Sequence, residues 1–348
     1  MGSHLLPRLL ERGHEVLGWD LDSYRIEPWL LHPNFHFQKS DYSDPAAIQK
    51  IASCPVVIHL AALCNPSLYN TEDERVIQSN FTLPAKLAEA CAASGSWLLY
   101  FSTSEVYGRT VRATAQEQGI LEAKTDAPSS SDRPFEAAES LVEDESPLLL
   151  GTVQTRRWSY ACAKQLMERY LMALGYSQKL QWTVVRPFNF LGPRMDFIPG
   201  VDGEGIPRVM ACFMDALLHG KPLQLVDGGS ARRAFTWIGD AVDGVESILK
   251  HRDASIGQCF NIGNPSNEVS IQALAERMIR IYLELHPNCT TLPETSVVSG
   301  GQFYGAGYQD SDRRMPSIAK ARRLLGWNPH TDLETTLRQT MEWYVGHY

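Results

Sequence analysis

The chain has 348 residues, 44% of them hydrophobic, and a formal net charge of −8. That length buries an ample core in one large α/β domain or two interleaved lobes. The acidic balance argues against non-specific binding to nucleic acid or anionic membranes, which both need a basic surface, although a few local arginines still suffice to hold a phosphorylated ligand.

In chain order, residues 3–13 (SHLLPRLLERG) read as a helix with Leu5, Leu6, Leu9 and Leu10 on one face and Gly13 as its stop. EVLGWD (15–20) follows as a short apolar strand ending in an acid. PVVIHLAA (55–62) and WLLYFSTS (97–104) read as two more buried strands, with a long helical pattern over 75–94 between them. QWTVVRPFN (181–189) repeats the strand pattern after a helix near 159–176. Strands alternating with helices predict an α/β fold whose parallel sheet is covered on both faces. From about residue 190, short apolar pieces (PLQLV, QCFNIG) alternate with helices near 207–219, 238–250 and 270–286, and a last helix covers 333–346. This predicts a smaller mixed lobe over the carboxyl ends of the strands, where open α/β sheets bind ligands. Residues 109–140, rich in Ser, Ala, Glu and Pro, read as a surface insertion without assigned chemistry.

No stretch approaches the ~20 apolar residues of a membrane span, and no charged-then-apolar signal segment opens the chain. The seven cysteines (54, 64, 91, 162, 212, 259 and 289) are odd in number and form no CxxC pair. They read as reduced thiols of a cytoplasmic protein with neither a disulfide framework nor a metal site.

The sharpest local signal is Tyr160-Ala-Cys-Ala-Lys164, which puts a phenol and an ammonium on one helical face. A nearby ammonium stabilises phenolate, so Tyr160 is a candidate base for a substrate hydroxyl. By itself the spacing also fits an ordinary surface helix. Upstream, a strand runs into Ser102-Thr103-Ser104-Glu105-Val106-Tyr107-Gly108, whose hydroxyls either serve a reacting hydroxyl or simply cap a turn.

VIHLAA, STSEVYG, Tyr160…Lys164, RPFNFLGPR, DGGSARRAFTWIGD and CFNIGNP stand in the order seen in extended short-chain dehydrogenase/reductases acting on nucleotide sugars. The resemblance covers nearly the whole chain outside 109–140. Within that family, RRWSYACAKQ, RPFNFLGPRMD and YGAGYQDSDRRMPS look most like the UDP-glucuronate decarboxylase domain of the bifunctional polymyxin-resistance enzyme. The resemblance implies a Rossmann-like doubly wound sheet, with residues 1–188 binding NAD and 189–348 forming mainly the substrate lobe. It implies Tyr160 as base, Lys164 as cofactor-binding lysine and Thr103 as hydroxyl partner. Ser104 and Glu105 would handle the carboxylate-bearing sugar, and Arg314 would serve decarboxylation. Gly2, Asp20, Asp41, Leu60, Ala61 and Pro187, with Tyr160 and Lys164, would contact the cofactor. Asn189, Arg208, Arg233 and Tyr308 would contact the uridine diphosphate, with Gln224 where the relative carries a lysine. A homodimer through helices near 75–94 and 159–176 is the family habit.

The chemistry suits these residue types. Removing hydride from C4 of a glucuronate leaves a ketone β to the C5 carboxylate, and such an acid loses carbon dioxide once its enolate is stabilised. Tyr160 can supply a proton and Arg314 can hold the carboxylate bidentately. Asp20, at the end of a strand, suits an adenosine ribose and disfavours a 2′-phosphate, which points to NAD. His59 and Trp158 read as packing residues. The expected reaction is NAD-dependent oxidative decarboxylation of UDP-glucuronate to a UDP-4-keto-pentose; a UDP-xylose synthase and a nucleotide-sugar 4-epimerase or dehydratase remain alternatives.

A dinucleotide fold of this type opens with a strand and GxxGxxG. Here Met1-Gly2-Ser3-His4 resembles the tail of that motif, with Gly2 as its third glycine. The first strand and most of the glycine-rich loop are therefore expected upstream of Met1. The competing reading is a truncated, catalytically impaired protein that binds nucleotide sugar.

Overall fold

The computed structural model describes residues 1–69, 71–109, 140–289, 292–305 and 308–348. The 109–140 insertion lies, but for its two end residues, outside the described residues. The strands are β1 (Val16–Asp20), β2 (Phe35–Lys39), β3 (Val56–His59), β4 (Trp97–Phe101), β5 (Gln181–Pro187), β6 (Phe190–Leu191), β7 (Leu223–Val226), β8 (Arg232–Ala234), β9 (Thr236–Trp237), β10 (Gln258–Ile262), β11 (Glu268–Ser270), β12 (Thr295–Val298) and β13 (Arg313–Arg314).

The central sheet runs β10-β5-β4-β3 and all its pairs are parallel. Alternation along β4 divides its side chains between two cores. Trp97, Leu99 and Phe101 pack with Val185, Phe260 and the helix Ile238–Lys250. Leu98 and Tyr100 pack with Leu87, Ala88, Met167 and Leu171 on the other face. The doubly covered parallel sheet read from the sequence is therefore present. A third core, from Leu191 to Tyr344, fills the carboxyl-terminal lobe.

Helices α1 (Gly2–Glu11), α2 (Pro45–Ala52), α3 (Asp73–Ile77) and α4 (Leu83–Ser94) belong to the first half. Leu5 of α1 joins the central core, while Leu6 and Leu10 pack with Phe35. The helix expected over 75–94 is two helices joined by a π-turn at Gln78–Thr82. Pro84 has no N–H to offer the Asn80 carbonyl four residues back. The Tyr100 hydroxyl donates to that carbonyl instead, at 3.1 Å.

Among the described residues, strands β1 and β2 pair only with each other. Among the described residues no strand lies between β1 and β3, so the strand expected at the sheet's centre is absent there. Residues of both strands, 16–20 and 56–59, line one large cavity of about 2580 Å³ that also reaches the ends of β4 and β5.

Candidate active site

The cavity opens over the carboxyl ends of the central strands, where the chain leaves regular pairing. After Phe101, Thr103 turns the backbone into a 3-10 turn, Ser104–Tyr107, and its Oγ1 caps that turn by accepting from the Glu105 N–H at 3.1 Å. Gly108 ends the turn at φ 68°, and a Cβ there would collide with the Leu149 carbonyl. Tyr160 and Lys164 lie one turn apart near the start of the helix Ser159–Gln178. Thr103, Ser104, Glu105, Tyr160, Lys164 and Arg314 all line the cavity, so the six residues expected to carry the chemistry meet in one place.

Thr103 hydrogen-bonds the Tyr160 hydroxyl. One expectation needs correction: Lys164 does not draw the Tyr160 phenol toward ionisation here. Burial, Cys64 and Glu105 push that phenol well above its ordinary value, against the opposing pull of Thr103 and Arg157. Lys164 Nζ donates to the Phe101 carbonyl at 2.9 Å and lies 4.6 Å from the Tyr100 ring centroid. Its burial lowers the ammonium to about 8, partly offset by Cys64 and Glu168. Tyr160 itself stacks on Tyr69, with centroids 5.0 Å apart.

A chain of buried charges runs from the tyrosine into the second lobe. Arg157 Nη1 donates to Glu105 Oε2 at 2.8 Å, and Arg314 Nη1 lies 3.5 Å from the other Glu105 oxygen. Arg314 and Arg233 both donate to Asp310, at 3.0 and 2.7 Å, and the Tyr308 hydroxyl donates to it at 3.1 Å. The fold makes this possible because β13 pairs with β8 in the register that sets Arg314 beside Arg233. Burial alone would raise Glu105 and Asp310, yet the surrounding guanidiniums hold both below the ordinary carboxylate range. Three guanidiniums face two carboxylates, which leaves one net positive charge. The Nε atoms of Arg157 and Arg314 are buried with no hydrogen-bond partner among the described residues. A buried donor without an acceptor is costly, so the cluster suits an anionic ligand.

The expected cofactor residues Gly2, Asp20, Asp41, Leu60, Ala61 and Pro187 all line the cavity. Asp20 caps the end of β1 by accepting from the Leu21 N–H, and Asp41 accepts from the Ser43 N–H. Ser102 Oγ is buried, unpartnered and on the cavity wall. An exposed carboxylate at the end of β1, a helix N-terminus and a spare hydroxyl just past the end of β4 fit a dinucleotide.

Of the substrate residues, Asn189 and Arg208 line the cavity. Asn189 donates to the Ala234 carbonyl at 3.0 Å, and Arg208 to Asp196 at 3.0 Å. Arg233 and Tyr308 join the charge chain through Asp310. Gln224 does not reach the site: it is exposed on β7 and lies outside the cavity lining. His59 is buried, bonded through Nε2 to Tyr42 at 2.7 Å, and Trp158 is buried, as read from the sequence.

Sequence reasoning missed Arg157, Asp310, Tyr69 and Cys64. Arg157 lies one helical turn before Tyr160, inside a motif already singled out, and Asp310 lies four residues before Arg314. Those spacings were the available signal. Arg157 also sits against the rings of Tyr69, Trp158 and Tyr308, at 5.1 to 5.8 Å from their centroids.

Among solved structures, PbgP3 protein from Burkholderia pseudomallei superposes with a TM-score of 0.81 at 30% identity, over 99% of this chain and 93% of that one. UDP-glucuronic acid 4-epimerase from Bacillus cereus, solved with UDP-glucuronic acid and NAD, has a TM-score of 0.75 at 20% identity, over 100% and 96%, a likeness of fold. UDP-D-apiose/UDP-D-xylose synthase 1 of Arabidopsis thaliana is 40% identical over 352 residues, 98% of this chain and 87% of the relative. The rice synthase (Oryza sativa subsp. japonica) is 41% identical over 98% and 85%. The sequence profile described as the NAD dependent epimerase/dehydratase family matches residues 1–263. On that match and those identities, the chain belongs to the NAD-dependent epimerase/dehydratase family and is an NAD-dependent enzyme on a Rossmann-like α/β fold.

Proposed function

We propose that the enzyme oxidises UDP-glucuronate at C4 and then releases its carboxylate as carbon dioxide, leaving a UDP-4-keto-pentose. The observation that carries this reading is the buried chain Arg157–Glu105–Arg314–Asp310–Arg233, net positive and adjoining Tyr160. A neutral hexose has no use for that charge at its reacting end; a uronate does.

NAD, when bound, supplies the acceptor for the C4 hydride. Tyr160 takes the O4 proton as phenolate, once its own proton, which burial retains, has left to solvent; Thr103 favours that ionised form. Lys164, anchored on the Phe101 carbonyl, keeps a positive charge beneath the site. Arg314 and Arg157 orient the carboxylate, and Glu105 fixes both guanidiniums. When the C5–C6 bond breaks, its electron pair becomes the C4–C5 enolate. The proton on Tyr160 then stabilises the enolate oxygen by a hydrogen bond until C5 is protonated.

A second reading has the ketone reduced again before release, which regenerates NAD. It is favoured by the likeness, over 98% of the chain, to synthases named for UDP-D-apiose and UDP-D-xylose. We place the reaction in the cytoplasm and in a homodimer. Residues 1–188 would hold the cofactor and 189–348 mainly the sugar nucleotide, with β10 returning to the first sheet.

Mass spectrometry after incubation with UDP-glucuronate and NAD tests both readings. Equal yields of UDP-4-keto-pentose and NADH mean release; a UDP-pentose without net NADH means re-reduction. A C4-epimerised uronate with no carbon dioxide overturns both. Tyr160→Phe is expected to remove nearly all oxidation while UDP-glucuronate binding stays within a few-fold, and undiminished turnover would refute its role.

A further inference from the structure

One end of the cavity, at the first turn of α1, gathers positive charge that the proposed sugar chemistry does not use. The Met1 amine is buried there and donates to Met195 Sδ at 3.1 Å, while His4 Nε2 lies 2.6 Å from the Pro193 carbonyl. These two contacts bracket Arg194 and set it against the helix start. Arg208 is paired with Asp196 at 3.0 Å, and Arg25 lies 3.8 Å from Asp202. No carboxylate lies within ion-pair distance of Arg194 among the described residues. Its Nε is buried and unpartnered, and its guanidinium carbon sits 5.6 Å from the centre of the Trp29 ring. Its backbone also holds φ 56°, a conformation that a non-glycine residue keeps only where its surroundings enforce it. Arg25, on the turn Tyr24–Trp29, donates to the Asp196 carbonyl at 3.0 Å, which brings a second guanidinium to the same wall. Met1, Gly2, Asp20, Arg25 and Arg194 all line the cavity that reaches Tyr160.

We propose that Arg194, with Arg25 beside it, clamps the diphosphate bridge of a dinucleotide at the first turn of α1. A dianion there meets a helix N-terminus and a planar fork of donors, and it supplies the acceptor that the buried Nε lacks. Trp29 fixes the plane of the Arg194 fork, and Asp20, at the end of β1, takes the adjacent ribose. The inference rests on the cavity being the dinucleotide site and is independent of what happens to the sugar.

The test is calorimetric titration of the full chain, and of Arg194→Gln and Arg194→Lys, with ADP-ribose, adenosine and UDP. Arg194→Gln is expected to weaken ADP-ribose about tenfold or more, the worth of one charged hydrogen bond, and to leave adenosine and UDP within about twofold. Arg194→Lys should restore only part of the loss, because a point charge does not reproduce the fork. Unchanged ADP-ribose affinity overturns the proposal. So does an equal loss for UDP, which would place the arginine at the sugar nucleotide, or for adenosine, which would make its role structural. If the parent chain takes up no ADP-ribose, the cavity reading falls as well. Should Arg194→Gln fail to fold, phenylglyoxal labelling of the parent chain decides. ADP-ribose, but not adenosine, is expected to protect Arg194, and equal labelling with and without ADP-ribose overturns the proposal.

Discussion

Arg314 shows how one side chain acquires a function from its partners. It is buried, shares Glu105 with Arg157 and shares Asp310 with Arg233, so its position is fixed before any substrate arrives. Replacing it leaves Glu105 with Arg157 alone and Asp310 with Arg233 alone. Arg314→Ala is therefore expected to lower carbon dioxide release by ~10²-fold or more, the usual loss when one stabilising contact to a developing charge is removed. Arg314→Lys should not restore the rate, because a single ammonium cannot serve both carboxylates and a substrate. Trapped-gas assays run beside NADH absorbance separate the two steps. NADH formation should survive better than decarboxylation, and parent-like gas release in both variants would make Arg314 a structural ion-pair residue.

At the scale of elements, legibility followed hydrophobic pattern. WLLYF and QWTVVRP were readable as buried strands because every position packs on one of two covered faces. The helices at 209–218, 238–250, 271–285 and 333–347 matched their apolar periodicity. FHFQK was not readable as β2, since only Phe35 in it is buried. Nor were the arginine-bearing strands β8 and β13, which are two or three residues long and exist because the second lobe pairs them. The site divides the same way. Tyr160 and Lys164 announce themselves by local spacing, whereas Arg157 gains its role from Glu105, 52 residues away in sequence.

The same contrast sets an order of local stability. β4 is fully buried and paired on both sides, whereas among the described residues β1 pairs with β2 alone and its residues are half-buried or exposed. Elements with few buried contacts open at lower free energy than the core. Hydrogen exchange read by mass spectrometry should show peptides covering 16–20 and 35–39 exchanging well before those covering 97–101 and 181–187. Equal protection of the two sets would mean that β1 and β2 open only with the whole molecule.

For the molecule as a whole, the helix Ser159–Gln178 presents two contrasting faces. Tyr160, Lys164, Met167, Leu171 and Leu174 point into the protein. Cys162, Leu166, Arg169, Ala173 and Tyr176 are exposed, and their spacing of four, three, four and three residues traces one stripe down the outer face. Leu166 and Tyr176 are 49% and 79% exposed, and Met172, beside the stripe, is 46% exposed. Side chains of that size in one stripe mark an association surface more than a solvated one. A two-fold axis beside the helix would bring the stripe against its own copy, so each contact would occur twice. In such a dimer the helix that carries Tyr160 and Lys164 would be braced on both faces. Light scattering on the eluting protein is expected to give twice the chain mass. Leu166→Glu with Tyr176→Glu should shift it to the monomer, since four carboxylates would face one another in the paired form. Tyr160 and Lys164 project from the opposite face, so NAD binding by the monomer should weaken far less than association does. A parent protein that elutes at the single-chain mass across micromolar concentrations would refute the dimer and leave the stripe as exposed surface.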